Sequence, residues 1–438
     1  MMPQFDKLNT PQLRFPEFLD DWNEKQYSDI YSFKTTNSFS RDKLNYENGE
    51  VKNIHYGDIH TKFNSLFDIT KEYVPFINED VDISRIPEEC YLKEGDLVIA
   101  DASEDYNDIG KTIEIQNLND EKVVAGLHTL LARRESDEMA NGFASFLMKT
   151  HKIRLEIMKI AQGSKVLGIS KNRLDKIYLT IPTPPEQTRI AAFLTAVDKR
   201  INLLQKKKAE LEQYKKGVMQ KLFSTGLNGL QDEQDLKKRE KNPVFLKSKK
   251  SCSRLRFKDD TSTTLSAGNG NDFPDWEEKK LGEVCDSIKT GKTKPLDSGE
   301  FLVYGSTGAI GYCDDYSHNG KYLLAARVGA NAGTLNVVDG KFGVTDNTLV
   351  LELSESVDTN FIYSYLIKYD LKKLIFGSGQ PLITGGQLKS LKIFIPTFPE
   401  QQEIASFLSS IDKSINNLQL TIDNSQLFKK GLLQKMFV

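Results

Sequence analysis

The stretch Ile181-Pro182-Thr183-Pro184-Pro185-Glu186-Gln187 occurs a second time as Ile395-Pro396-Thr397-Phe398-Pro399-Glu400-Gln401. The two stand 214 residues apart (395 − 181 = 214), and at that offset roughly half of the positions from Ile181 to Phe223 recur identically at Ile395 to Phe437, without a gap. An internal repeat constrains the architecture before any residue-level signal does. The chain therefore reads as two half-units, about Leu13 to Phe223 and about Leu255 to Phe437.

Each copy predicts a long helix with a marked start. Proline is tolerated in a first helical turn, and a glutamate beside it favours the positive end of the helix dipole. Apolar residues then follow at a 4-3 spacing: Ile190, Leu194, Val197, Ile201, Leu204, Leu211, Val218 and Leu222, and in the second copy Ile404, Leu408, Ile411, Ile415, Leu418, Ile422, Leu432 and Met436. That spacing is a coiled-coil seam. A helix from Glu186 to Phe223 is roughly 55 Å long at 1.5 Å per residue, and one apolar stripe of that length needs a partner. The other copy is the best partner, because the seam defects are not shared: Lys208 stands where the second copy has Ile422, and Leu211 where it has Ser425. Both copies close on Lys-Lys-Gly, at Lys215-Lys216-Gly217 and Lys429-Lys430-Gly431.

Ahead of each helix the pattern is one of short strands with polar turns. In the first half strands are expected at Val51–Tyr56, Gly95–Ala100, Thr112–Ile115 and Val123–Ala132, with a helix from Phe143 to Ile160. In the second half they are expected at Leu302–Tyr304, Tyr322–Ala326, Thr334–Val338 and Thr348–Leu353, with a helix from Phe361 to Leu374. The openings also recur: Leu13-Arg14-Phe15 and Trp22 have counterparts in Leu255-Arg256-Phe257 and Trp276. The frame repeats while its middle does not. The expected fold is mixed α/β, with domains at 1–180 and 273–394, long helices at 181–224 and 395–438, and a linker at 225–272. The linker's charge run Asp232 to Arg239, its basic patch around Lys247, Lys249 and Lys250, and its Ser/Thr/Gly/Asn-rich end suit a solvated segment.

With 39% hydrophobic and 27% charged residues, the 438-residue chain has a globular composition. No apolar run approaches the ~20 residues that cross a bilayer, and Met1 to Asp6 lacks the basic and apolar regions of a signal peptide, so a cytoplasmic protein with no membrane partner is expected. Cys90, Cys252, Cys285 and Cys313 are too scattered for a zinc pair or a disulfide framework. A formal charge of −2 gives no overall attraction to nucleic acid, so any DNA binding rests on a local basic surface or on partner subunits.

Catalytic signatures are missing. Gly110-Lys111-Thr112 and Gly291-Lys292-Thr293 look like the end of a phosphate-binding loop, but Asp105 and Asp286 occupy the required first glycine. There is no dinucleotide fingerprint, no His-Glu-x-x-His and no nucleophile elbow. His55 and His60, expected in a strand and a loop, lack further ligands for a metal. The acidic cluster Asp101, Glu104, Asp105 and Asp108 reads as a polar loop, and no motif for methylation of a base accompanies it.

Two variable α/β domains, each followed by a Pro-Glu-Gln-headed helix carrying Asp198-Lys199-Arg200-Ile201-Asn202 or Asp412-Lys413-Ser414-Ile415-Asn416, resemble the specificity subunit of type I restriction-modification enzymes. The resemblance covers nearly the whole chain. It implies a non-catalytic DNA-binding subunit whose two target recognition domains each read half of a split site in double-stranded DNA. It implies that two antiparallel helices form a coiled-coil spacer with pseudo-twofold symmetry. It also implies two methylation subunits carrying S-adenosylmethionine and two restriction subunits using ATP and Mg²⁺, with no cofactor and no metal in this chain. The alternative is a coiled-coil interaction scaffold with two protein- or ligand-binding domains.

Base reading requires donors and acceptors on loops held by a firm scaffold. The candidates in the first domain are Tyr56, Asp58, His60, Lys62, Ser103, Glu104, Tyr106 and Lys165. Those in the second are Tyr304, Ser306, Thr307, Arg327, Asn331 and Gln380. The last of each set lies in the loop that closes its domain.

Overall fold

Both Pro-headed repeats are helical, the first over Pro184–Arg239 and the second over Phe398–Lys435. These come from a computed structural model that describes residues 10–239, 255–257, 265–267, 274–375 and 381–438. The apolar stripe is the buried face: Ile190, Leu194, Ile201, Val218 and Leu222 are buried on the first helix, as are Ile404, Leu408, Ile411, Ile422, Leu432 and Met436 on the second. Lys208 within the stripe is only half-buried and is neutralised one turn on by Glu212, at 2.9 Å. The first helix outruns its expected end near residue 224 and enters the segment expected to be linker. Asp232 to Arg239 contains no proline and is rich in Glu, Gln, Leu, Lys and Arg, which propagate a helix. A short antiparallel pair, Leu255–Phe257 with Leu265–Ala267, follows, while Lys247, Lys249 and Lys250 lie outside the described residues.

The chain divides into two units, Met1–Leu204 with Thr421–Val438, and Gln205–Leu420. In the first, Asn23–Gln26 pairs antiparallel with Tyr178–Ile181, the strand that feeds the first long helix. A five-stranded sheet runs in the order Tyr31–Lys34, Thr129–Arg134, Leu97–Ala100, Thr112–Asn117, Leu66–Asp68, antiparallel except for its last pair. A four-stranded sheet is built from Val123–Ala125, Lys52–Ile54, Phe76–Ile77 and Leu44–Asn45. The core gathers Trp22, Phe143, Phe146, Ile190 and Leu194 around Leu432, Met436 and Phe437, so the last turns of the second helix are part of it. Glu186 is buried in the first turn of the helix. It accepts both arms of the Arg14 guanidinium at 2.7 Å and the Trp22 indole N–H at 3.3 Å. Farther along, Asp198 pairs with Lys429 at 2.5 Å.

The second unit has the same order of parts with a different sheet. Glu277–Lys280 pairs antiparallel with Lys392–Ile395, which feeds the second long helix. One six-stranded sheet runs Cys285–Thr290, Thr348–Leu353, His318–Ala326, Leu335–Val344, Phe301–Gly305, Gly308–Cys313. Its core includes Phe361, Tyr365 and Ile404 together with Val218, Met219, Leu222 and Phe223 from the first helix. In this unit Lys215 donates to both Asp412 oxygens, at 2.6 and 2.7 Å.

Three expected elements are broken in the structure. The strand expected at Val123–Ala132 is two, Val123–Ala125 and Thr129–Arg134, which enter different sheets. Between them His128 takes φ +54°, and a side chain at Gly126 would collide with the Asn53 amide. The helix expected at Phe143–Ile160 is likewise two, Phe143–Leu147 and His151–Ile160, with the Thr150 hydroxyl turned back to the Leu147 carbonyl at the break. Thr359–Tyr369 ends at Asp370, whose φ of +64° diverts Leu371–Leu374 into a 3-10 turn. Helical periodicity persists across such breaks, which is why pattern alone does not reveal them. Among the described residues no helix is long and apolar enough to cross a membrane.

Candidate nucleic-acid interface

The strand expected over Val51–Tyr56 stops at Ile54, and Tyr56–Thr61 is a helix. His55 and His60 therefore occupy a helix cap and a helix rather than a strand and a loop. The His55 ring caps this helix, its Nδ1 accepting the Gly57 N–H at 3.1 Å. Burial, with the nearby Arg41 charge, lowers its pKa to about 4, so the ring is neutral and free to accept.

Asp58 is the centre of this site. Its carboxylate is only 1% exposed, bonded by Arg41 Nη1 at 2.7 Å and ion-paired with Lys62 at 2.9 Å. Burial pushes its pKa up, but the two cations outweigh burial and hold it below the ordinary range. Asp58, expected to meet a base edge, is instead buried and ion-paired, and it orients two cations that are each about half exposed. Lys62 also donates to the Tyr46 hydroxyl at 2.8 Å and lies over the same ring. Tyr46 stacks on Tyr73, centroids 4.6 Å apart, and Tyr73 is 69% exposed. The result is a surface of two cations and a paired aromatic face, the groups that hold phosphates and stack on bases. Arg41, Tyr46 and Tyr73 are absent from the sequence-based candidates. No local pattern marks them, because each joins the site only through the folded sheet.

The other first-unit candidates converge through short links. His60 Nε2 bonds the Ala102 carbonyl at 3.0 Å, and Tyr56 packs edge-on against the rings of His60 and His128. Ala102–Ser103 pairs with Leu167–Gly168, which brings Ser103, Glu104 and Tyr106 to the edge that carries the closing loop and Lys165. Ser103 is buried, and its hydroxyl accepts the Asp105 N–H at 3.1 Å, so it shapes the turn. Glu104, Tyr106 and Lys165 are exposed.

In the second unit Ser306 and Thr307 form the turn of the hairpin Phe301–Gly305/Gly308–Cys313. Tyr304 packs its ring against Phe342 at 5.7 Å, while its carbonyl accepts the Thr345 N–H. The Arg327 N–H donates to the Asn347 carbonyl, so the turn 345–347 joins Tyr304 and Arg327 on one rim. No local signal in the sequence marks Thr345 to Asn347, which join this rim through contacts between distant strands. Asn331 is exposed in the following turn and its carbonyl accepts the Thr334 N–H. Gln380 lies outside the described residues. Among those residues no cluster of His, Cys, Asp and Glu is placed to hold a metal ion.

Two mixed α/β units, each exposing polar loop residues and each joined to a Pro-Glu-Gln-headed long helix, set the class of fold. The model of the type I restriction modification DNA specificity domain matches residues 19–213 and 274–424, most of the chain. The chain belongs to this family. It is a specificity subunit, a DNA-sequence-recognising and non-catalytic component of a type I restriction-modification system. A Methanocaldococcus jannaschii relative named as the MjaX specificity subunit is 26% identical over 97% of this chain and 95% of its own. The Escherichia coli EcoprrI specificity subunit is 30% identical over 32% of this chain and 37% of its own. A crystal structure of a type I system S subunit from M. genitalium superposes with a TM-score of 0.59 at 15% identity, covering 98% of this chain and 99% of that one. A chain from a structural study of complex assembly and conformational transition of the type I system superposes at 0.52, with 16% identity, over 95% and 97%.

Proposed function

We propose that each unit reads one half of a split, asymmetric DNA site and that the two long helices, paired as an antiparallel coiled coil, set the distance between the halves. In this reading the target recognition domains are 1–180 and 273–394, the spacers 181–224 and 395–438, and 225–272 links the halves. One observation carries it. At the repeat offset of 214, Asp198 corresponds to Asp412 and Lys215 to Lys429. The two ion pairs are Asp198 with Lys429 and Asp412 with Lys215, so each copy's aspartate meets the other copy's lysine. Phe223 and Phe437 correspond in the same way; Phe437 packs on Trp22 and Phe223 on Trp276, with centroids 6.1 and 6.2 Å apart. Reciprocal contacts of this kind support a twofold, self-complementary pairing of the helices within one chain.

Internal pseudo-twofold symmetry offers two equivalent surfaces to two identical methylation subunits, which would supply S-adenosylmethionine and modify adenine. Two restriction subunits, using ATP and Mg²⁺, would complete a cytoplasmic complex. The two half-sites are free to differ because the two sheets differ. Half-site readers joined by a rigid spacer work at the scale of one DNA turn, roughly 34–36 Å. The test is to insert one helical turn, about four residues, into both copies and map methylation in the assembled system. The recognised spacer should lengthen while both half-sites stay the same; an unaltered spacer refutes the proposal.

A further inference from the structure

Lys111, Lys149 and Arg154 of the first unit line a cavity of about 180 Å³, together with Asn107, Asp108, Gly110, Thr112 and Met148. Three cations thus face one carboxylate, and that carboxylate stands 3.8 Å from Lys111, at the outer limit of an ion pair. The stronger bonds of the three all go to neutral oxygens. Lys111 Nζ donates to the His60 carbonyl at 2.5 Å, Lys149 Nζ to the Ser65 hydroxyl at 2.5 Å, and Arg154 Nη2 to the carbonyls of Tyr106 and Asn107 at 3.2 and 3.1 Å. Asp198, the carboxylate that acts on Lys149, is itself paired with Lys429.

Such an arrangement is electrostatically incomplete. Crowding by protein atoms first, then repulsion from Lys429 and Lys111, lowers the Lys149 pKa to about 8 although the side chain still reaches solvent. Burial likewise lowers Arg154. Like charges gathered in a recess favour an anion that neutralises them. We propose that this cavity is a phosphate-binding site. A guanidinium fork beside two ammonium groups suits a tetrahedral oxyanion, and the cavity leaves room for waters at about 30 Å³ each. Gly110, Lys111 and Thr112 all line the cavity, but Gly110, at φ +70°, leads into the strand Thr112–Asn117 and not into a helix, so this is no nucleotide loop. The phosphate comes either from a DNA backbone or from free inorganic phosphate.

The experiment titrates inorganic phosphate into the full-length chain in chloride buffer, followed by phosphorus NMR. The wild type is compared with Lys149→Arg and with the double variant Lys149→Gln/Arg154→Gln, each checked for native circular dichroism. Saturable binding is expected in the wild type and in Lys149→Arg, and binding about tenfold or more weaker in the double variant. If the double variant does not fold, the single Gln variants are read in the same way. Absence of saturable binding by the wild type, or equal binding by the folded Gln variants, overturns the proposal. A second arm measures affinity for random duplex DNA against salt. A slope reduced by about one in the double variant identifies a DNA phosphate as the occupant; an unchanged slope with lost phosphate binding identifies free phosphate. Failure of the half-site reading would leave the phosphate titration standing, since that titration contains no DNA.

Discussion

The helix ends and the sheets of this protein obey different rules. At the helix ends the two units use matching residues for matching jobs: an aromatic closes on a tryptophan, a lysine on an aspartate, and a buried glutamine bonds the proline carbonyl five residues before it, at 2.8 Å for Gln187 and 2.9 Å for Gln401. Beyond the antiparallel strand pair that feeds each long helix, the sheets do not match. The first unit divides its strands between a five-stranded and a four-stranded sheet and gathers His55, His60 and His128 around Tyr56, whereas the second has one six-stranded sheet with a Phe342-centred aromatic cluster. The difference teaches that the repeat keeps the residues at the helix ends while the larger sheets are free to vary.

The comparison breaks most visibly if its two aromatic closures prove unequal. Phe437→Ala and Phe223→Ala each remove a buried ring and should cost about 3–5 kcal/mol, read by denaturant unfolding of the full chain. A loss confined to one of them would mean that only one joint bears load. A sharper contrast follows from Glu114, 1% exposed in the first unit, which accepts the N–H groups of Gly142 and Ser145. Burial raises its pKa to about 7 against an ordinary 4.5, in spite of those donors. A raised folded-state pKa contributes stability that is full below about 4.5 and lost as pH rises to about 7. Stability should thus fall by ~3 kcal/mol across that window, and Glu114→Gln should abolish that part of the pH dependence. Retention of the same slope in the variant would assign it to another group.

Two smaller effects probe the sheets and then the joint. Arg327→Ala should weaken or relax recognition of one half-site alone, by roughly 1–3 kcal/mol if the guanidinium meets a base pair, in binding assays with duplexes altered in either half. Equal losses on both halves would contradict two independent readers. The Asp–Lys pairs, only partly buried, should show coupling energies of about 0.5–1 kcal/mol in double-mutant cycles, and the two cycles should agree. Exchanging the charges, Lys215→Asp with Asp412→Lys, should restore what either change alone removes.

Much of the fold was legible because its signals are local. Proline at Pro184 and Pro399 marks the helix starts, and the 4-3 stripe marks the faces that are buried. The strands at Leu97–Ala100 and Thr348–Leu353 stand out as apolar, β-branched runs. The sheet order was not legible, since parallel and antiparallel neighbours are chosen by packing between segments far apart in sequence. The break at Asp370 escaped because a positive φ at a non-glycine residue leaves no mark in hydrophobic period. For the candidate surface, sequence nominated Lys62, Glu104, Tyr106 and Lys165, which the structure leaves at least partly exposed, but it also nominated Asp58 and Ser103, which are buried.

By itself the sequence determined that the chain is doubled, where its long helices begin and which of their faces seek a partner, because repeat, proline and apolar period act over a few turns. Only the tertiary structure decided that Asp58 serves Arg41 and Lys62, that Phe437 belongs to the core of the first unit, and that Lys111, Lys149 and Arg154 share one recess. Charge and burial depend on neighbours brought together across tens or hundreds of residues, and their energies exist only once the chain has closed around them.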